Sequence, residues 1–239
     1  FPGNEKRGIK SEGEILALSP DKRIRVRFHL EDSLSYSVEI DEVEIVKRSS
    51  LGLLTKGLTL QASSGALESV SEKEVQRVLN PIHPLWNSEL SDHFNEKTMV
   101  FENGLTAVLR VANDGIAFRF IVDAKKEFTV EKEIFEFNVA SDSLLSAGFV
   151  DCPHPDKKLD CFHSDYERPY RTIRLQDIEA SRLSFLPVVV ESKGFWLALT
   201  EFEVFGYPGS WLQVDEKKGI SFTAPRIPVE LSKASYIDR

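Results

Sequence analysis

The sequence predicts an all-β chain, built as antiparallel strands in two packed sheets. Apolar and polar residues alternate with period two in run after run, which buries one face of each run and wets the other. Early in the chain these runs recur about every ten residues, each closed by turn chemistry, which is the signature of a sandwich or barrel. Helical periodicity is scarce. Only residues 71–79 suit a turn or two of helix, and Val75, Val78 and Leu79 there fit a strand as well.

Ser19-Pro20-Asp21 reads as a turn. After it Ile24, Val26, Phe28 and Leu30 alternate with Arg23, Arg25, Arg27 and His29. Leu34, Tyr36, Val38 and Ile40 repeat the pattern, followed by Val43 and Ile45, with 31–33 and 41–42 as the turns. Residues 98–102 and 105–111 make a hairpin about Asn103-Gly104, which supplies the positive φ angles of a tight turn. Asn113-Asp114-Gly115 is a second such turn, leading to Ile116, Phe118 and Phe120. Further strands are read at 127–137, 172–175, 183–191, 194–200, 210–214 and 219–223. Val188-Val189-Val190 is β-branched and continuous, the pattern of a strand buried on both faces. The reading is one domain of roughly fifteen strands over residues 15–239, preceded by a flexible polar arm at 1–14. The apolar ending at 227–239 is read as a domain boundary within a longer chain.

With 239 residues, 41% hydrophobic and 16 of them Phe, the chain can bury a sizeable core. Thirty basic against 38 acidic side chains give a net charge of -8. Nothing here would release counterions from phosphates, so a nucleic-acid partner is excluded. No apolar run reaches the length of a membrane span. Cys152 and Cys161 flank a short Pro-containing segment, which either holds two free thiols or is closed by a disulfide in an oxidising compartment. With His154, Asp160 and His163 they form only a weak metal pattern.

The densest cluster of polar and aromatic groups is 160–175. Pro169 keeps Arg168 extended, so Tyr166, Glu167 and Tyr170 sit on a loop running into a strand. Such a loop carries either a function or two tyrosines half buried on the sheet. There is no Gly-x-Ser-x-Gly, His-Glu-x-x-His, phosphate-binding glycine loop or EF-hand loop.

Six segments, in order, resemble the N-terminal domain of glycoside hydrolase family 97, the bacterial α-glucosidase and α-galactosidase family. Leu16-Ala-Leu-Ser-Pro-Asp-Lys-Arg-Ile24 is similar to its opening S-P-D-G-K-I strand, and Ser49-Ser-Leu-Gly-Leu53 to S-x-L-G-L. Trp86 with His93-Phe-Asn-Glu96 resembles a tryptophan followed by H-Y-N-E. Asn113-Asp-Gly-Ile-Ala-Phe-Arg-Phe120 resembles D-D-G-V-A-F-R-Y, and Tyr166-Glu167 with Tyr170 resembles Y-E-x-x-Y. Glu201 with Tyr207-Pro-Gly-Ser-Trp-Leu212 is similar to E-x-x-x-x-x-Y-P-G-M-Y-L. The chain departs from the family at Leu144-Leu145-Ser146, where an aromatic pair is usual, and at 151–160.

The resemblance implies a β-super-sandwich of the galactose-mutarotase-like kind, packed on a (β/α)8 barrel that holds the catalytic carboxylates. It implies a periplasmic or secreted enzyme acting on oligosaccharides. It further implies that Glu167 lends a ligand to a calcium ion in the full enzyme, while in the chain alone it is an unpaired surface carboxylate. Tyr166, Tyr170, His163 and Trp86 are then candidates for the substrate or interface. Two alternatives are a free-standing sugar-binding module, with Trp86 or Trp211 stacking on a ring, and a mutarotase-like epimerase using His93, His163 and Glu201.

Overall fold

The computed structural model describes residues 14–31, 33–58, 60, 66–83, 86–150, 160–162, 167–204 and 208–225. Of the described residues 62% are strand and 3% helix, in two antiparallel sheets, as the alternation predicts. Its contacts divide it into two compact units, residues 1–131 and 132–239.

In the first unit β1 (Glu14–Leu18), β2 (Ile24–Leu30), β3 (Leu34–Ile40) and β4 (Val43–Lys56) form a meander. The alternation in β2 is realised residue by residue: Ile24, Val26, Phe28 and Leu30 are buried while Arg25, Arg27 and His29 are partly open. Asp41 and Glu42 both take positive φ between the paired Ile40 and Val43, the mirror-image turn that suits the strand twist.

A second sheet of this unit contains β5 (Leu67–Leu79), β6 (Leu90–Phe101), β7 (Leu105–Ala112) and β8 (Ile116–Val122). Residues 71–79 are therefore strand, not helix. β5 pairs with β6 from Leu67↔Phe101 to Leu79↔Leu90, so cross-strand hydrogen bonding decides a segment whose local pattern suits both.

The Asn103-Gly104 turn differs from the expected two-residue form. Only Gly104 has positive φ, and its N–H donates to the Phe101 carbonyl (3.1 Å). This is the longer hairpin loop with one left-handed residue. A Cβ at Gly104 would also stand 2.7 Å from the Asp123 carbonyl oxygen. Within this unit Asn95 Nδ2 donates to the Leu18 carbonyl (2.9 Å), and the Tyr36 and Phe118 rings lie 6.4 Å apart.

The second unit takes most of β9 (Thr129–Phe137), then β10 (Leu144–Phe149), β11 (Arg171–Arg174), β12 (Leu183–Ser192), β13 (Phe195–Leu199), β14 (Trp211–Val214) and β15 (Ile220–Thr223). They lie in the order β9-β15-β14-β12-β10-β11, with β13 added to β12. β10 falls where the family departure is noted and no strand was expected. It is nevertheless an alternating strand, with Leu145 and Ala147 wholly buried. The valine run in β12 also needs correcting. Val188 and Val190 are fully buried but Val189 is not, so β12 is covered on one face only at this end. No helix among the described residues is long and apolar enough to cross a membrane.

Candidate functional site

β12 is the central strand of the second unit. The Leu186–Pro187 peptide is cis and divides one edge of β12. Residues 183–185 pair with β14, and residues 188–192 pair with β13. A proline fits at this point because it has no N–H to offer a ladder. On the other edge, β10 shifts register between Ser146↔Val189 and Gly148↔Phe185. Gly148 makes room there: a Cβ would stand 2.2 Å from Phe185 Cζ.

Tyr170, just before β11, is held from two sides. Its hydroxyl donates to the Pro187 carbonyl (2.6 Å), and its ring meets Phe185 edge-on at 6.0 Å. Phe185 belongs to a buried cluster with Val150 and Trp211, against which Phe162 and Leu183 pack. The phenol nevertheless remains 49% exposed. A half-buried tyrosine anchored at its tip is the plain structural outcome foreseen for this loop, and it still presents an aromatic edge to solvent.

Glu167 is exposed, as a ligand offered to another body would have to be. It does have an interaction partner, which corrects the expectation of an unpaired carboxylate. Among the described residues, no group of three His, Cys, Asp or Glu side chains could hold a metal ion. What fits calcium here is at most one carboxylate of the six to eight oxygens the ion prefers.

Tyr166 and His163 lie outside the described residues, as does Cys152. Cys161 is buried and disulfide-bonded. Trp86, in the first unit, is 94% exposed, whereas Trp211 is 4% exposed in the core and is not available for stacking. His93 bonds Glu74 through Nε2 (2.6 Å), and Glu201 Oε1 accepts from the Ser210 backbone N–H (2.6 Å). Each of these epimerase candidates thus has a local structural task.

The sequence reading missed the open face of β13, β12, β10 and β11. Lys193 and Gly194 both have positive φ, forming a tight hairpin that sets Trp196 directly opposite Glu191. Glu191 pairs with Leu144, and Leu144 with Arg174. Directly paired residues point to the same side, so Trp196, Glu191, Leu144 and Arg174 form one rung. The next rung on that side is Ala198, Val189, Ser146 and Thr172, with Ser146 Oγ and Thr172 Oγ1 2.7 Å apart. Trp196 is 67% exposed. Its signal in the sequence was the alternation Phe195, Leu197, Leu199 against Trp196, Ala198.

The family description "Glycosyl-hydrolase 97 N-terminal" matches residues 18–228. The chain belongs to this family. Among curated proteins, a retaining alpha-galactosidase of Bacteroides thetaiotaomicron is 28% identical to it over 210 residues, covering 87% of this chain and 31% of that one. Among solved structures, a family 97 glycoside hydrolase of a Pseudoalteromonas species, in complex with panose, superposes with a TM-score of 0.69. Identity there is 18%, over 88% of this chain and 32% of the other. A beta-arabinopyranosidase superposes with a TM-score of 0.74 at 19% identity, over 91% and 36%. The family 97 N-terminal chain thus spans about a third of the length of these relatives.

Proposed function

We propose that this chain is the N-terminal accessory domain of a glycosidase acting on α-glucosides or α-galactosides. It packs on a catalytic (β/α)8 barrel of the same polypeptide, and Glu167 supplies one ligand to a calcium ion there. The observation that carries this reading is the match of 87% of the chain to under a third of an alpha-galactosidase. A domain of that extent is one part of the longer enzyme, and the rest of the enzyme has room for the barrel. The exposed position of Glu167 supports the ligand role, since a buried carboxylate could not reach a neighbouring body. The disulfide at Cys161 supports a periplasmic or secreted location, because such bonds persist in oxidising compartments. Calcium would supply positive charge at the substrate, and this chain's part is to orient one carboxylate toward it.

The test is Glu167→Gln in the full-length enzyme. Calcium affinity by titration calorimetry should fall, and hydrolysis of nitrophenyl α-galactoside and α-glucoside should need more calcium. The circular dichroism of the domain should stay the same, because a surface charge and not a core contact is removed. Unchanged calcium affinity and activity would refute the assignment of Glu167.

A further inference from the structure

We propose that the hollow at the hairpin end of the β13-β12-β10-β11 face is a saccharide-binding subsite with Trp196 as its stacking platform. The hollow measures about 270 Å³ and is lined by Asp142, Ser143, Leu144, Arg174, Glu191 and Lys193, with Gly194 at the hairpin tip. Trp196 does not itself line the hollow; it adjoins the lining as the cross-strand partner of Glu191, on the same side of the sheet.

Three features select the ligand. The lining holds both signs, Asp142 and Glu191 against Arg174 and Lys193, so neither an anion nor a cation is favoured by net charge. The side chains of Asp142, Glu191 and Arg174 make no hydrogen bond or ion pair among the described residues. Leu144 stands between Glu191 and Arg174 on the rung, which sets their backbones two strand spacings apart, about 10 Å, and the two side chains are not paired with each other. A neutral polyol suits such a set: its hydroxyls donate to the carboxylates and accept from the guanidinium.

The exposed indole adds the second half of the match. Its electron-rich face attracts the weakly positive C–H edges of a pyranose ring. A protein partner fits less well. Covering this face would strip water from three charges that have no partner to receive them. The size suits one ring seated in the hollow, since it lies just under the usual range for pockets that enclose a larger ligand.

The inference does not rest on the calcium ligand or the barrel, and the family enters only in the choice of probes. Maltotriose and raffinose are titrated into the 239-residue chain without calcium, following tryptophan fluorescence. Saturable binding is expected with a Kd of about 1 mM. Trp196→Ala should weaken it at least about tenfold and abolish the emission change, while Trp196→Phe keeps part of the affinity. Glu191→Gln should weaken it about fivefold, and Arg77→Ala, which breaks an exposed pair in the first unit, should leave it unchanged. Circular dichroism of each variant confirms that the sheet is intact. Absence of saturation with both sugars up to about 50 mM overturns the proposal. So does binding that survives both Trp196→Ala and Glu191→Gln. Failure of the Glu167 test leaves these titrations untouched, so the two readings can fall separately.

Discussion

On one face of β5, β6 and β7, the rung Lys73–Glu96–Arg110 places an anion directly between two cations. Lys73 Nζ and Arg110 Nε each lie 2.7 Å from a Glu96 oxygen, and the Arg110 guanidinium covers the Phe94 ring at 4.7 Å. The rung Trp196–Glu191–Leu144–Arg174 in the second unit uses nearly the same residue types. There the acid and the guanidinium are separated by a leucine, and the aromatic ring is uncovered. In the first rung the opposite charges are on adjacent strands and satisfy each other; in the second they stand one strand further apart and are not paired with each other. The first arrangement contributes stability. The second leaves hydrogen-bonding capacity for a ligand, and stability has little to lose there.

This contrast can be tested from the largest effect to the smallest. Gly148→Ala should be the most damaging, because its Cβ meets the Phe185 ring that supports Tyr170 and packs with Trp211. A loss of about 2–3 kcal/mol in urea unfolding is expected, the usual cost of overpacking. Normal stability in this variant would show that the open face is not built on that contact.

Glu96→Gln should cost about 2 kcal/mol near neutral pH, since it removes charge-assisted bonds to a buried carboxylate. The Lys73 hydrogen bond above all, aided by Arg110 and opposed by burial, holds the Glu96 carboxyl below its ordinary range. A lowered folded-state value means the stabilisation is fully present above the unfolded-state carboxylate range near 4.3 and is lost as the pH falls through the folded value. The gap between wild type and variant in unfolding midpoints should therefore close on acidification from about pH 5 downward. A gap that stays constant to low pH would mean that shape, not charge, is responsible.

Arg77→Ala breaks an exposed pair with Asp92 (2.7 Å) and should cost under about 1 kcal/mol, with salt masking the difference. The smallest stability effect, within about 0.5 kcal/mol, is expected for Glu191→Gln, which has no protein partner to lose among the described residues. A clear destabilisation by Glu191→Gln, measured by thermal unfolding, would erase the distinction between the two faces.

Much of the fold was legible because strand formation leaves a local mark. The alternation from Ile24 to Leu30 became β2 with the predicted side buried, and Asp41-Glu42 closed the next hairpin where a turn was read. The six motifs were legible for the same reason, since the residues of each motif lie close together in the chain. The candidate site was harder to read. Tyr170 and Glu167 were found by their crowding around Pro169, but Trp196 looked no different from Trp211. The exposure of a tryptophan depends on what covers its side of the sheet, which no local pattern records.

The sequence by itself determined the all-β class, most strand positions and the family, through period-two alternation and short turn signals. Tertiary structure decided the matters that depend on distant partners. Residues 71–79 became strand because β6 pairs along their whole length. Val189 faces outward while its neighbours are buried because only one side of β12 is covered there. Trp196, Glu191 and Arg174 share a rung because β10 pairs with both β11 and β12, which brings together residues far apart in the chain. Pairing register is a non-local quantity, and it set which side chains satisfy one another and which remain open to a ligand.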